Sequence, residues 1–347
     1  MANKLLFTSK KTMIEVVQGL LDADITVLGP VAENDGFIFK KITDPAKMRL
    51  DYDRAFVSPI KEYLIPRSEV ICEFSSGKYH SVGPKETETT VIFGVHPYDI
   101  NALPVLDQIY AGGKYSDPNY MVRRRNMIIV GLDVTHPPTG SFAESVGAHI
   151  TTDNFDLMLT DSQNGVYFVE IGTAEGQGLL SFAKGMVLVA SSDHEKIRTI
   201  LQKKVAEKYP VSLNTALCDI PSLLQSEKGK ALLSEMAEKC IACGNCTKVC
   251  PTCVCYQIND VVLLDGKCSR ERCRSSCLFA EAAETGGGHN FRPKAEDRIT
   301  NRLLDKTSFI SKEHRILGCV GCGRCGICPA DIAHIANISN RLREETK

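Results

Sequence analysis

Four cysteines in the run Cys240-Ile-Ala-Cys243-Gly-Asn-Cys246-Thr-Lys-Val-Cys250-Pro251 follow the spacing C-x2-C-x2-C-x3-C-P without deviation. Thiolates at intervals of three let a short loop wrap three ligands around one face of a compact iron-sulfur centre, and a fourth cysteine ahead of proline serves the other centre where two are present. Small residues such as Ala242 and Gly244 let backbone N–H groups approach the sulfurs. A second motif is therefore expected, and the sequence contains Cys319-Val-Gly-Cys322-Gly-Arg-Cys325-Gly-Ile-Cys328-Pro329. Its last interval is one residue shorter. If Cys328 begins a helix, that deletion turns its side chain by about 100°, and Gly326 is where backbone freedom would correct it. The pattern predicts two 4Fe-4S clusters, one on Cys240, Cys243, Cys246 and Cys328, the other on Cys319, Cys322, Cys325 and Cys250.

Paired C-x-x-C elements also build tetrahedral zinc sites, but four cysteines in so short a run, followed by proline and then repeated, fit zinc poorly. Thirteen of the fifteen cysteines fall between Cys240 and Cys328, a concentration that points to metal or redox chemistry rather than a disulfide framework. Five of them, Cys253, Cys255, Cys268, Cys273 and Cys277, lie between the motifs. They would either ligate a third cluster or metal, or pack as small free thiols around the other two.

The elements that must position these motifs read as follows. An amphipathic stretch from Lys11 to Leu21 precedes β-rich runs at Thr26 to Val31 and Phe37 to Ile42, with further runs at Thr90 to His96 and Met127 to Asp133. Asn164-Gly165 suits a tight turn inside a hairpin from Phe155 to Ile171. Helical spacing over Ser192 to Lys208, and again over Pro221 to Lys239, delivers the chain to the first motif. These readings predict a mixed α/β domain over residues 1–230, a docking platform. A mainly α domain over 231–347 would carry a bacterial-ferredoxin-like unit with two clusters, with 256–315 inserted between the motifs.

The formal net charge of −1 gives no basic footprint for a nucleic acid, and Arg123-Arg124-Arg125 reads as a solvated face. No apolar run reaches the roughly 20 residues that span a bilayer, and Met1 to Lys11 lacks the apolar core of a cleavable signal, so the expected compartment is the cytoplasm. Gly172-Thr-Ala-Glu-Gly176-Gln-Gly178 lacks the dinucleotide spacing and reads as a turn, and Gly286-Gly-Gly-His289 is not a phosphate loop. No triad, carboxylate pair or H-E-x-x-H element is apparent.

The sequence resembles the beta subunits of cytoplasmic sulfhydrogenases and the corresponding electron-transfer subunits of anaerobic sulfite reductase. The resemblance rests on Cys240 to Cys255, on Gly287-Gly-His-Asn-Phe-Arg-Pro293, on Asn301-Arg-Leu-Leu304 and on Gly318 to Cys325. Upstream it continues in Gly94-Val-His-Pro-Tyr-Asp99, Ile128 to Leu132 and Asp156 to Thr160. It implies a non-catalytic electron-transfer subunit that partners a flavoprotein binding FAD and NAD(P)H. The terminal module would be a hydrogenase, a sulfite reductase or a heterodisulfide-reductase-like assembly. Many members of this family carry cysteines where this chain has Tyr98, Asp133, Ser141 and Ala143, which implies that a cluster site of the relatives is missing here. Two other readings compete. One is a self-contained reductase of sulfite, polysulfide or disulfide that uses the extra cysteines; the other is a zinc-stabilised interaction protein.

Overall fold

The computed structural model describes residues 5–75, 78–82, 88–264 and 266–344. Its strands are β1 (Leu5–Ser9), β2 (Thr26–Glu33), β3 (Gly36–Lys41), β4 (Ser68–Ser75), β5 (Lys78–Ser81) and β6 (Thr90–Val95), followed by β7 (Met127–Leu132), β8 (Leu157–Asp161), β9 (Val166–Ile171), β10 (Leu188–Val189), β11 (Tyr256–Val262) and β12 (Cys268–Arg274). Eight of them form one sheet in the order β10-β1-β9-β8-β7-β6-β2-β3. Its middle, β2-β6-β7-β8, is parallel, while β9, β1, β10 and β3 pair antiparallel.

Every residue of β6 is buried, as expected for a central parallel strand covered on both faces. Its alternating side chains feed two cores: Val91 and Phe93 join the helix Lys10–Asp22, while Ile92 and Val95 join Ile60, Leu64, Leu103 and Leu106 on the other face. Ser9 starts the first of these helices by accepting from the Thr12 N–H, and Met13, Val16, Val17 and Leu20 then fall on its buried face. The hairpin at Asn164-Gly165 is present, with β8 and β9 paired from Leu157↔Ile171 to Asp161↔Tyr167.

The helix expected over Pro221 to Lys239 is broken into Ile220–Gln225 and Glu227–Lys239. Ser226 causes the break: its backbone is extended and its hydroxyl accepts from the Gly229 N–H, so it caps the second helix instead of continuing the first. With Ala295–Leu304 and Ile335–Glu344 these helices enclose a further core, built on Leu232, Met236, Ile299, Leu303 and Ile338.

A four-stranded antiparallel sheet, β11-β12-β4-β5, joins segments from either side of residue 230. Strand β12, from between the cysteine motifs, pairs directly with β4 near the start of the chain. Charge secures the junction, since Arg272 reaches both Glu69 and Asp117, and Arg123 reaches Glu69 at 2.8 Å. A second tie is deeper. Arg324, between two cysteines of the second motif, makes a bidentate fork to Asp99 with both N–O distances at 2.7 Å, and its Nε donates to the Ala55 carbonyl. Both partners are buried.

Breaking a buried pair on one side leaves an uncompensated charge and costs about 3–5 kcal/mol. Asp99→Ala is therefore expected to lower the thermal midpoint followed by circular dichroism, and the double change Asp99→Leu with Arg324→Met to regain most of the loss. A single variant as stable as the parent would refute the role assigned to this pair.

Candidate iron-sulfur site

The helix Glu227–Lys239 ends at Cys240, and the chain then turns through two left-handed residues, Ala242 at φ 53° and Gly244 at φ 71°. The second motif repeats this path, with Gly321 at φ 64° and Gly323 at φ 71° in the matching positions. The two loops differ at the first of them because their surroundings differ. A Cβ on Gly321 would lie 2.7 Å from backbone atoms of Phe142 and Ala143, and one on Gly323 2.4 Å from the Gly140 carbonyl oxygen. Close approach to the 140–143 loop thus demands glycine, and Ser141 closes the contact by donating to the Gly321 carbonyl at 3.0 Å.

After the loops, the first motif enters an α-helical turn, Asn245–Lys248, and the second a 3-10 turn, Arg324–Ile327. The α-helical turn ends two residues before Cys250 and the 3-10 turn one residue before Cys328, so the second motif takes up its missing residue with a shorter, tighter turn. Gly326, where backbone freedom is expected, is not among the left-handed glycines.

Cys240, Cys243, Cys246 and Cys328 line one apolar cavity of about 30 Å³. Of the other four, Cys322 and Cys325 are buried and Cys250 and Cys319 half-buried. Cys319 lies within electrostatic reach of Cys325, Cys250 and Cys322, and Cys322 within reach of Cys250. Burial pushes both Cys246 and Cys322 up to about 11. As free thiols these groups are neutral at pH 7, and a metal must displace their protons to be bound. Among the described residues no three His, Cys, Asp or Glu side chains close on one point as a single ion would require. Donors spread around a void suit a polynuclear centre better than a zinc ion.

The walls carry buried cations that the sequence reading did not identify. Arg302 lines the void, donates to the Ala333 carbonyl at 3.1 Å, and holds its Nε–H buried with no acceptor. An orphaned guanidinium donor beside four thiols fits an anionic cluster. Lys61 is buried against the carbonyls of Thr247, Lys248 and Cys250, at 2.8 Å from the last. Lys306 is aimed inward from a π-helical stretch, Asp305–Phe309, and donates to both oxygens of Thr252. Burial works against its charge, yet nearby Cys253, Cys250 and Asp305 hold its pKa well above the usual lysine value. Arg302, Arg324 and Asp99 fall in segments that carry the family resemblance, whereas Lys61 had no sequence signal at all.

The five intervening cysteines do not assemble. Cys268 and Cys273 sit on β12, Cys253 touches Cys250, and Cys255 touches Cys277. Tyr98, Ala143 and Cys322 share one apolar cluster, with Asp133 nearby accepting from Thr160 and Gln202. The Gly172–Gly178 segment is a packed turn: Thr173 caps the helix Ala174–Leu179, and a Cβ on Gly176 would overlap the Asp156 carbonyl oxygen at 1.9 Å. The His289 ring packs edge-on against Phe291, and its carbonyl accepts from Thr285.

Residues 239–332 match the family described as a 4Fe-4S dicluster domain, which fixes the class: a mixed α/β protein with a ferredoxin-like dicluster domain at the C-terminal end. The chain is 33% identical over 286 residues, 82% of either protein, to the sulfhydrogenase 2 subunit beta of Pyrococcus furiosus. It therefore belongs to the sulfhydrogenase beta-subunit family. A chain of the F420-reducing [NiFe] hydrogenase complex from Methanosarcina barkeri aligns over 69% of this chain and 93% of its own, at 11% identity and a TM-score of 0.37, too low to carry a structural argument. No helix among the described residues is long and apolar enough to cross a membrane.

The paired loops generate a contrasting prediction. Gly321→Ala places a side chain in left-handed backbone, at about 1–2 kcal/mol, and into the 142–143 backbone as well. Ala242→Gly removes the same strain and is expected to be neutral within about 1 kcal/mol, since glycine's unfolded-state entropy offsets the gain. Thermal midpoints of the two variants check the asymmetry; equal effects would count against it.

Proposed function

We propose that this chain binds two 4Fe-4S clusters by crossed ligation and acts as the electron relay of a multisubunit anaerobic oxidoreductase. One cluster is held by Cys240, Cys243, Cys246 and Cys328, the other by Cys319, Cys322, Cys325 and Cys250. The observation that carries the reading is the void lined by the first four cysteines, with the unpaired Arg302 Nε–H at its wall. When bound, each cluster accepts and returns a single electron.

The chain's own residues set the terms of that exchange. Lys61, Arg302 and Lys306 offset thiolate charge in a region from which water is largely excluded, whereas Arg324 is balanced by Asp99. The Cys253 thiol, buried against Cys250, is a hydrogen-bond donor to a ligand sulfur, an interaction that tunes cluster potential. Access is unequal. Ile241, in the first loop, is 71% exposed against 49% for Ile327 in the second, so electrons exchange with a partner most readily at the first motif.

A partner is implied elsewhere too. Helix Ser192–Ala206 buries none of its residues, and Ile197 and Ile200 on it join Met186, Leu188 and Val189 as exposed apolar side chains. The partners favoured by the family are a flavoprotein that binds FAD and NAD(P)H and a terminal hydrogenase, sulfur or sulfite reductase, or heterodisulfide-reductase-like module. The expected setting is the cytoplasm. Residues 1–230 would serve as the docking platform and 231–347 as the dicluster unit.

Anaerobic purification of the native complex tests this reading. About eight iron atoms per chain are expected, together with a co-purifying flavoprotein, whereas a colourless, iron-free lone chain would sink it. Cys328→Ser should remove up to about four irons while leaving the second cluster's paramagnetic signal. Lys306→Met should lower a cluster potential by tens of millivolts, because a buried cation favours the more negative reduced state. A redox titration followed by paramagnetic resonance would show no shift if Lys306 were merely structural.

A further inference from the structure

The N-terminal segment from Arg54 to Lys61 closes on the ligands of the second cluster from several points. Arg54 donates to the Cys322 carbonyl at 2.9 Å, the Ala55 carbonyl accepts from Arg324 Nε at 2.9 Å, and Lys61 donates to the Cys250 carbonyl at 2.8 Å. Cys322 and Cys250 belong to one proposed ligand set, and Arg324 lies between Cys322 and Cys325 of the same set. Ser58 sits midway between Ala55 and Lys61, at the start of the short helix Pro59–Leu64, where residues three apart are neighbours on one side.

The Ser58 side chain is completely buried, yet its hydroxyl makes no cap bond to the helix it precedes and has no other partner among the described residues. The serines that start two longer helices behave differently: Ser9 accepts from the Thr12 N–H, and Ser226 from the Gly229 N–H. A hydroxyl shut away from water without a hydrogen bond is costly, and one that also forgoes its cap bond calls for another acceptor.

We propose that Ser58 donates its O–H to a sulfur of the second cluster, the one assigned to Cys319, Cys322, Cys325 and Cys250, and so raises that cluster's reduction potential. The proposal rests on the relay reading above, and it gives the second cluster a counterpart to the unpaired Arg302 donor at the wall of the first. Reduction adds negative charge to the sulfurs, so a hydrogen bond to one of them strengthens in the reduced state and favours it. A hydroxyl supplies this bias without burying a further ion beside Lys61. Ser58 holds no ligand in place; its contribution is to the potential.

The test uses the full chain, purified without oxygen, with the paramagnetic signals of both clusters followed through redox titrations of the parent, Ser58→Ala and Ser58→Thr. Alanine removes only the hydroxyl, and threonine keeps it. At a fixed potential near the midpoint, the reduced-to-oxidised ratio of the second cluster is expected to fall about three- to tenfold in Ser58→Ala, the effect of one lost hydrogen bond. A tenfold fall is about 59 mV for one electron. The first cluster should not shift, iron should stay at about eight per chain, and Ser58→Thr should remain within about twofold of the parent. Repeating the titration in the Cys328→Ser background, where the second cluster's signal should remain, assigns the shifted signal. An unshifted second cluster in iron-replete Ser58→Ala, as a hydroxyl bonded only to a buried water would give, overturns this proposal alone. An equal shift of both clusters, or loss of iron from Ser58→Ala, overturns it as well. Iron-free parent protein would defeat the relay reading and this proposal together.

Discussion

The buried fork between Arg324 and Asp99 determines where the second motif sits, and much of the remaining architecture follows from that placement. Arg324 lies between Cys322 and Cys325, so its guanidinium cannot reach into the N-terminal sheet without carrying the cysteine loop with it. Asp99 is held at the start of a short helix that follows β6, the most completely buried strand of the sheet. A planar, bidentate contact fixes orientation as well as distance. The loop is thereby pressed onto residues 140–143 so closely that two of its positions admit only glycine. Such a pair adds little net stability compared with apolar packing, and its contribution here is registry.

The same logic extends to the other buried cations. A cluster of thiols in a dry interior favours the protonated form, as the raised Cys246 and Cys322 values show. Removing those protons creates concentrated negative charge, which the fold meets with Lys61 from the N-terminal segment and with Arg302 and Lys306 from consecutive turns of one helical region. Lys61 is held by three carbonyls rather than a carboxylate, and Arg302 retains an unpaired donor. Both arrangements are costly as isolated features and reasonable beside an anion. The N-terminal segment and the cysteine region are thus joined by charge as well as by the shared sheet.

Much of the central sheet was legible because β6, β7 and the β8–β9 hairpin announce themselves by runs of β-branched residues and by Asn164-Gly165. The cysteine loops were legible because ligand spacing is a local property. What escaped was non-local. Strand β12, rich in Arg and Cys, has no apolar alternation; it exists because β4 offers it a ladder, Glu69 and Asp117 neutralise Arg272, and Asp260 and Glu62 pair with Arg270 and Arg274. Ser226 reads as an ordinary helix residue until its side chain is seen to cap the next turn. Lys61 sits in a sequence that looks solvent-facing, and only the approach of the first motif's carbonyls gives it a reason to be inside.

The shortened second motif shows how little sequence change separates two loops of similar path. The second motif takes up its missing residue by winding its turn as a 3-10 helix, at the cost of poorer hydrogen-bond geometry. The weaker turn is tolerated because its neighbours hold it: His334 bonds the Gly140 carbonyl at 2.7 Å on one side, and the Arg324 fork lies at its start. The first motif is held at its other end, where Lys61 of the N-terminal segment donates to the carbonyls of Thr247, Lys248 and Cys250, while its leading loop leaves Ile241 in solvent. The two loops therefore share a backbone path while differing in where they are restrained. The N-terminal segment holds both motifs, and the Ile241 end of the first remains open to another protein.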